Sequence, residues 1–271
     1  MKTNTIIRSM AAIAAVIFAI AATGCQKENE ITPNNNPTTT VSFKPKSIVT
    51  TKVGNPEAVR TQTYEYDGNN KLLKFLSVSG TTRDSLFFTS EGMGFIRRVR
   101  GDVQTKENLR FNPDKSLKEL SSSSSSGLIR LTPDFIALPG SSNTLSALRD
   151  ANHHIGFSYL DGNLKSISVN TEGVNFTYYN NLGFQKGINE IPVESTALMY
   201  HKLAEQEGMT NYSFSSKLIH TITATDGGVV RRINTFSYVQ DTNGRVTTIF
   251  ETVDSPSSGA PTQQFQHTIA Y

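Results

Sequence analysis

Cys25 is the only cysteine in the 271-residue chain. A lone thiol is suited to nucleophilic attack, to a shared metal site or to carrying an acyl chain. The five histidines offer less. His153 and His154 are adjacent, and neighbours on a strand point to opposite faces, so the pair cannot hold one ion. His201, His220 and His267 stand alone in sequence and lack the spacings of zinc ligands, which gives each a structural or surface role and leaves no metal site. Asp241-Thr242-Asn243-Gly244 begins like a calcium loop, but the downstream bidentate Glu is missing and turn chemistry accounts for the same residues. There is no Gly-x-Ser-x-Gly elbow and no glycine loop to cradle phosphate. A serine–histidine–carboxylate group or a carboxylate pair assembled in space leaves no mark in one sequence. No catalytic residue and no cofactor are therefore assigned, and a hydrolase with a spatially assembled site stays as the alternative. For glycan binding the chain has no Trp, and most of its tyrosines occupy positions where burial is expected. Tyr178 and Tyr179 are adjacent, so on one strand they face opposite sides and one becomes an outward platform.

The surroundings of Cys25 select among its chemistries. Lys2 and Arg8 open a leader whose apolar stretch, Met10 to Ala22, is shorter than the roughly 20 residues that span a bilayer as a helix. Its length is that of a secretory signal. It ends in Ala22-Thr23-Gly24-Cys25, small residues before a cysteine, which resembles the bacterial lipobox with Ala22 in place of the usual Leu. That resemblance implies cleavage after residue 24 and lipidation of Cys25. More than one acyl chain anchors stably where a single chain binds only marginally. With its one thiol used as an anchor, the chain has none for a disulfide, a zinc cluster or a cysteine nucleophile.

Removing Lys2 and Arg8 with the leader lowers the basic residues from 26 to 24, against 23 acidic ones. The remaining charges are scattered along the sequence, which points to no nucleic-acid surface and no polybasic membrane patch. Residues 25–40 are polar and rich in Asn, Pro and Thr, with almost nothing to bury, and read as a flexible tether. Residues 41–271 are ample for a single β-rich domain.

The elements that must position any site are strands and turns. One phrase recurs: two aromatics two apart, a polar turn, then aliphatics three apart. Copies are Tyr64-Glu65-Tyr66 with Leu72 and Phe75, Phe157-Ser158-Tyr159 with Leu164 and Ile167, and Phe236-Ser237-Tyr238 with Val246 and Ile249. A degraded copy runs from Phe111 to Leu117 and Leu120. Aromatics two apart share a strand face, and Asp-Gly and Asn-Gly accept the positive φ of tight hairpin turns. The spacing of three between aliphatics breaks the period of two and indicates a bulge or a residue packed under the turn. The copies are unevenly spaced, so no strict solenoid is expected. Val174–Tyr178, Leu218–Ile222 and Phe265–Tyr271 extend the strand pattern. The expected fold is all-β, a curled antiparallel sheet of hairpins with one covering helix near 192–208, started by Pro192 and ended by Gly208. Thr144 to Ala151 is a second, weaker helix candidate, and Ser121 to Ser126 reads as a loop or a soft edge strand.

The hairpin phrase is similar to the tyrosine-aspartate repeats of the RHS type. More closely, residues 60 to 271 resemble a family of Bacteroidota lipoproteins known as a domain of unknown function. Its aromatic strand and Gly-Asn-Leu turn are matched by Tyr159, Gly162, Asn163 and Leu164. Its Tyr-rich strand and Asn-rich turn are matched by Phe176, Tyr178, Tyr179, Asn180 and Asn181. The stretch Pro192 to Gly208, the strand opening Ser216 to Ile219, and Asp241, Gly244 and Arg245 follow. The serine run and Pro139 to Ala151 do not match and look like insertions. The resemblance implies a curled sheet on the cell envelope and carries no activity. Glu28 and Glu30 thinly match the acidic segment that, in such bacteria, accompanies export to the outer face. The expected protein is a membrane-anchored, non-catalytic binding or scaffold module at the outer membrane. Its partners are the membrane through the lipid on Cys25 and a glycan, peptide or envelope protein, not nucleic acid; a purely structural assembly role is the other alternative.

Overall fold

Short runs of Val, Ile, Thr, Tyr and Phe bounded by Gly, Asn and Asp favour strands joined by tight turns. Sixteen such strands follow one another in the computed structural model, which describes residues 44–69, 71–89, 92–124, 127–136, 144–183 and 217–271. They are β1 (Ser47–Lys52), β2 (Asn55–Tyr66), β3 (Leu72–Ser79), β4 (Thr82–Thr89), β5 (Gly92–Val99), β6 (Asp102–Phe111), β7 (Leu117–Ser124) and β8 (Gly127–Ile136). The rest are β9 (Thr144–Arg149), β10 (His154–Leu160), β11 (Asn163–Val169), β12 (Glu172–Gly183), β13 (Lys217–Asp226), β14 (Val229–Gln240), β15 (Val246–Ser255) and β16 (Ala260–Ala270). Each strand pairs antiparallel with its neighbours in sequence, and β1 also pairs with β16 from Ser47 opposite Ala270 to Lys52 opposite Phe265. The expected curl thus goes to completion, and the sheet is a closed barrel. Closure removes the unpaired edges that an open sheet must protect.

The two ends of the barrel differ in turn chemistry. At one end, glycine-rich two-residue turns such as Arg100-Gly101 and Gly227-Gly228 hold positive φ at both positions, as hairpins of this hand require. At the other end lie the aspartate and asparagine turns of the repeated phrase. There Asp67 Oδ1 accepts hydrogen bonds from the backbone N–H groups of Asn69 and Lys71, both at 2.8 Å. Asp241 Oδ1 does the same for Asn243 and Arg245, both at 2.9 Å.

The four copies of the phrase form the hairpins β2–β3, β6–β7, β10–β11 and β14–β15, so the motif returns every fourth strand around the barrel. Across these hairpins Tyr64 faces Phe75, Leu109 faces Leu120, Phe157 faces Ile167 and Tyr238 faces Ile249. Nearer the turn, Tyr66, Phe111, Tyr159 and Gln240 face Leu72, Leu117, Leu164 and Val246. Between these pairs the second strand carries one extra residue: Leu73, Lys118, Lys165 or Thr247. That bulge turns both aliphatics inward although they are three apart. Leu72, Leu117, Leu164 and Val246 are all buried beneath their turns. The repeat is therefore regular in strands while irregular in sequence, because residues 184–216 lengthen the interval between the third and fourth hairpins.

The inner wall has two tiers. Toward the aspartate-turn end it is a continuous apolar core, from Ile48 and Phe75 through Phe95, Leu109, Leu148 and Leu164 to Phe236, Ile249 and Ile269. Tyrosine hydroxyls cap it by donating to main-chain carbonyls: Tyr159 to Leu145, Tyr178 to Leu164, Tyr238 to Ile219 and Tyr271 to Val246, at 2.6–2.9 Å. Toward the glycine-turn end the inward positions become polar. Outward positions along β12 to β15 carry Thr177, Thr221, Thr223, Thr235, Ser237, Thr248 and Thr252.

Two expectations are corrected. Thr144 to Ala151 is not a helix; Thr144–Arg149 is β9. Leu145 and Leu148 face Phe135 and Pro133 across a bulge at Ser146, which produces an apolar spacing of three that mimics helical periodicity. Ser121 to Ser124 is not a loop or an edge; it lies in β7, bonded to β6 on one side and β8 on the other. The ladder on both sides needs no help from side chains. The helix expected near 192–208 lies outside the described residues, and no helix occurs among those described.

Candidate functional site

The polar tier of the inner wall is densest where the chain closes on itself, across β14, β15, β16, β1 and β2. Strict alternation places these groups. His267 shares a face with Phe265 and Ile269, Glu251 with Ile249 and Val253, Thr50 with Ile48, and Gln62 with Tyr64. All four of these polar residues are buried.

His267 is the hub. Its Nε2 lies 2.9 Å from Glu251 Oε2, and its Nδ1 lies 2.9 Å from Thr50 Oγ1, the residue directly opposite it on β1. With the proton on Nε2, His267 donates to the carboxylate and accepts from the Thr50 hydroxyl. Asn234 Nδ2 donates to Glu251 Oε1 at 2.5 Å, and Arg232 Nε donates to Asn234 Oδ1 at 3.0 Å. Arg60 stands opposite Thr50, beyond the seam. Burial opposes ionisation of Glu251, but the hydrogen bond and charge of His267, the Asn234 bond and the Arg60 charge outweigh it and hold its carboxyl below the usual value. Burial first, then the charges of Tyr179 and Glu251, pushes the neighbouring Tyr238 hydroxyl far up. Gln62 is 2% exposed, and its Oε1 has no hydrogen-bond partner among the described residues. Farther around the same tier, Arg97 grips Asp84 through two bonds of 2.9 Å.

Thr50, His267 and Glu251 comprise a hydroxyl, an imidazole and a carboxylate in a chain, the parts of a nucleophile, base and orienting acid. A nucleophile has to meet its substrate. Thr50 is 3% exposed and His267 fully buried, so this trio does not present a reactive hydroxyl. Its geometry instead ties the last strand to the first. A one-residue slip at the seam would turn His267 outward and strand Glu251 inside.

The residues singled out from sequence fall elsewhere. Cys25 and His201 lie outside the described residues. His153 is exposed and rests 3.0 Å from Asp150, while His154 sits opposite Arg149 in β10. Among the described residues no group of three metal-ligating side chains converges. Asp241 is engaged by its own turn and by Arg245 Nε at 2.7 Å. Tyr178 and Tyr179 both lie in β12, where the pairing with β13 shifts register after Thr177, and neither is an open platform. Tyr178 bonds back to β11, while Tyr179 donates to the Phe236 carbonyl of β14 and packs on His220 and Tyr238. His267, expected to have a structural or surface role, is structural; Glu251 and Thr50 carried no expectation, though their signal was present as polar residues in the apolar phase of strong strand patterns.

The fold has solved counterparts. A porin-like protein from Bacteroides uniformis superposes with a TM-score of 0.52 at 16% identity, over 86% of this chain and 100% of that one. A porin-like protein from Bacteroides vulgatus has a TM-score of 0.43 at 12% identity, over 84% and 98% of the two chains. At such identities the first likeness speaks for the barrel fold alone. No family model matches the chain, and no curated protein does.

Proposed function

We propose that this chain is a cell-envelope lipoprotein of Bacteroidota, held to the outer membrane by lipid on Cys25, whose barrel is a non-catalytic binding or scaffold module standing in water. The observation that carries this reading is the sidedness of the wall. A transmembrane barrel turns an apolar band to the lipid and polar residues to its lumen. Here the large apolar side chains fill the inside, and the outward positions of β12 to β15 are rich in threonine and serine, with Ile233, Val239 and Phe250 set singly among them rather than in an apolar band. A barrel built this way is not suited to span a bilayer, and lipid on Cys25 gives it a separate attachment. The likeness to porin-like structures supports the architecture, not a pore.

Mass spectrometry of the native protein tests the anchor. The amino-terminal peptide is expected to begin at Cys25 and to carry the mass of its acyl chains, and Cys25→Ser is expected to move the protein out of the membrane fraction. A bare Cys25 on a membrane-free native protein would overturn the reading.

A further inference from the structure

The barrel gathers on its outer face a basic cluster that the linear sequence disperses and that has no ion pair among the described residues. Outward positions on β3 to β6 form a row near the glycine-turn end: Val78 opposite Arg83, Arg83 opposite Arg98, and Arg98 opposite Val103. Like charges directly opposite on neighbouring strands destabilise a sheet, so two facing arginines work against stability. Lys106 lies in the adjacent outward row, and Arg100 projects from the turn between β5 and β6 at positive φ. Elsewhere in the barrel Arg149, Arg231 and Arg245, and Arg97 on the inner face, each engage an aspartate. Arg83, Arg98, Arg100 and Lys106 make no ion pair among the described residues. Of the carboxylates nearest in the ladders, Asp84 faces inward on Arg97, Glu107 also faces inward, and Asp102 opens β6 opposite Val99. Exposed aliphatics stand among the cations, with Val78 36%, Val103 44% and Leu128 59% exposed. Leu128 lies in line with Lys106 through Ser123.

We infer that this outer face of β3 to β6 docks on an anionic lipid surface. Four cations with aliphatic side chains between them match anionic headgroups above an apolar layer. A nucleic-acid surface would add aromatic rings for base stacking, and this row has none. The inference rests on the envelope reading only for the presence of a bilayer beside the barrel; the cluster itself is independent of Cys25. Each Lys or Arg near such a surface strengthens binding by about fivefold, so the cluster is worth roughly two orders of magnitude or more in partitioning.

The test separates the two proposals by removing the anchor. A chain begun at Gln26 keeps every described strand and the closed ladder. It is incubated with vesicles of phosphatidylcholine alone, or with about 30% phosphatidylglycerol, and sedimented. Binding to the anionic vesicles only, abolished by high salt, is expected. Arg83→Gln, Arg98→Gln, Arg100→Gln and Lys106→Gln together should weaken it at least tenfold. Arg83→Lys with Arg98→Lys should retain it, as should Lys118→Gln with Lys165→Gln elsewhere on the wall. Thermal unfolding of each variant confirms that the barrel is intact. Equal binding to both vesicles, an unchanged quadruple variant, or binding to a DNA duplex but not to vesicles would overturn the proposal. None of those results bears on acylation of Cys25.

Discussion

At the residue scale the buried histidine–glutamate pair sets the sharpest expectations. Glu251 is a buried carboxylate that receives hydrogen bonds from His267 and Asn234, and hydrogen bonds to a charged group are worth about 1.5–3 kcal/mol. Glu251→Gln should therefore lower stability at pH 7 by about that much, read from urea midpoints. The pH dependence has a definite sign. Glu251 has its native pKa held below 4.5, so its ionised form stabilises the fold above that value. That contribution is lost as pH falls through the native pKa. The wild-type melting temperature should fall on acidification below about pH 4.5, and the gap to Glu251→Gln should narrow. A gap that stays constant from pH 7 to pH 3 would mean that Glu251 is not ionised in the folded protein. These residues were legible in sequence only as oddities: a histidine between Phe265 and Ile269, and a glutamate between Ile249 and Val253. Alternation assigns them inward, and a short turn joins β15 to β16, but no sequence rule brings β1 beside β16.

At the element scale the repeated hairpin is the unit of construction. Its spacing of three was readable, and so was its meaning, because a bulge is the economical way to face both aliphatics inward on a strand. Leu164 is 1% exposed, and Leu164→Ala should cost about 2–5 kcal/mol through the cavity it leaves. Leu73, the extra residue of the first bulge, is 57% exposed, and Leu73→Ala should change stability by less than about 0.5 kcal/mol. Similar losses at both sites in denaturant titrations would contradict the bulge assignment. The same logic explains the misreading of Thr144 to Ala151. A bulged strand and a helix both place apolar residues three apart, and only the pairing of Leu145 with Phe135 and Leu148 with Pro133 separates them.

At the scale of the whole molecule, closure and sidedness govern behaviour. Because the large buried apolar side chains turn inward and the outward apolar ones are scattered among polar residues, the chain begun at Gln26 should be monodisperse and cooperatively folded in buffer without detergent. A transmembrane barrel of the usual sidedness would aggregate there. Size-exclusion chromatography with light scattering decides between them; a requirement for detergent would remove the main support for the water-standing barrel.

The sequence by itself determined what depends on neighbours along the chain. Strand and turn chemistry and the bulged hairpins are written in short spacings, as are the proposed leader and acyl site at Cys25, because a strand's faces and a turn's φ values are set within a few residues. Tertiary structure alone decided what depends on register between distant segments. The joining of β1 to β16 met the inward phases of Thr50, His267 and Glu251 in one buried network. The pairing of β3 through β6 collected arginines that look scattered in the sequence into one face. A one-residue shift in either ladder would have reversed which side of the wall those charges occupy, and no local signal records which register wins.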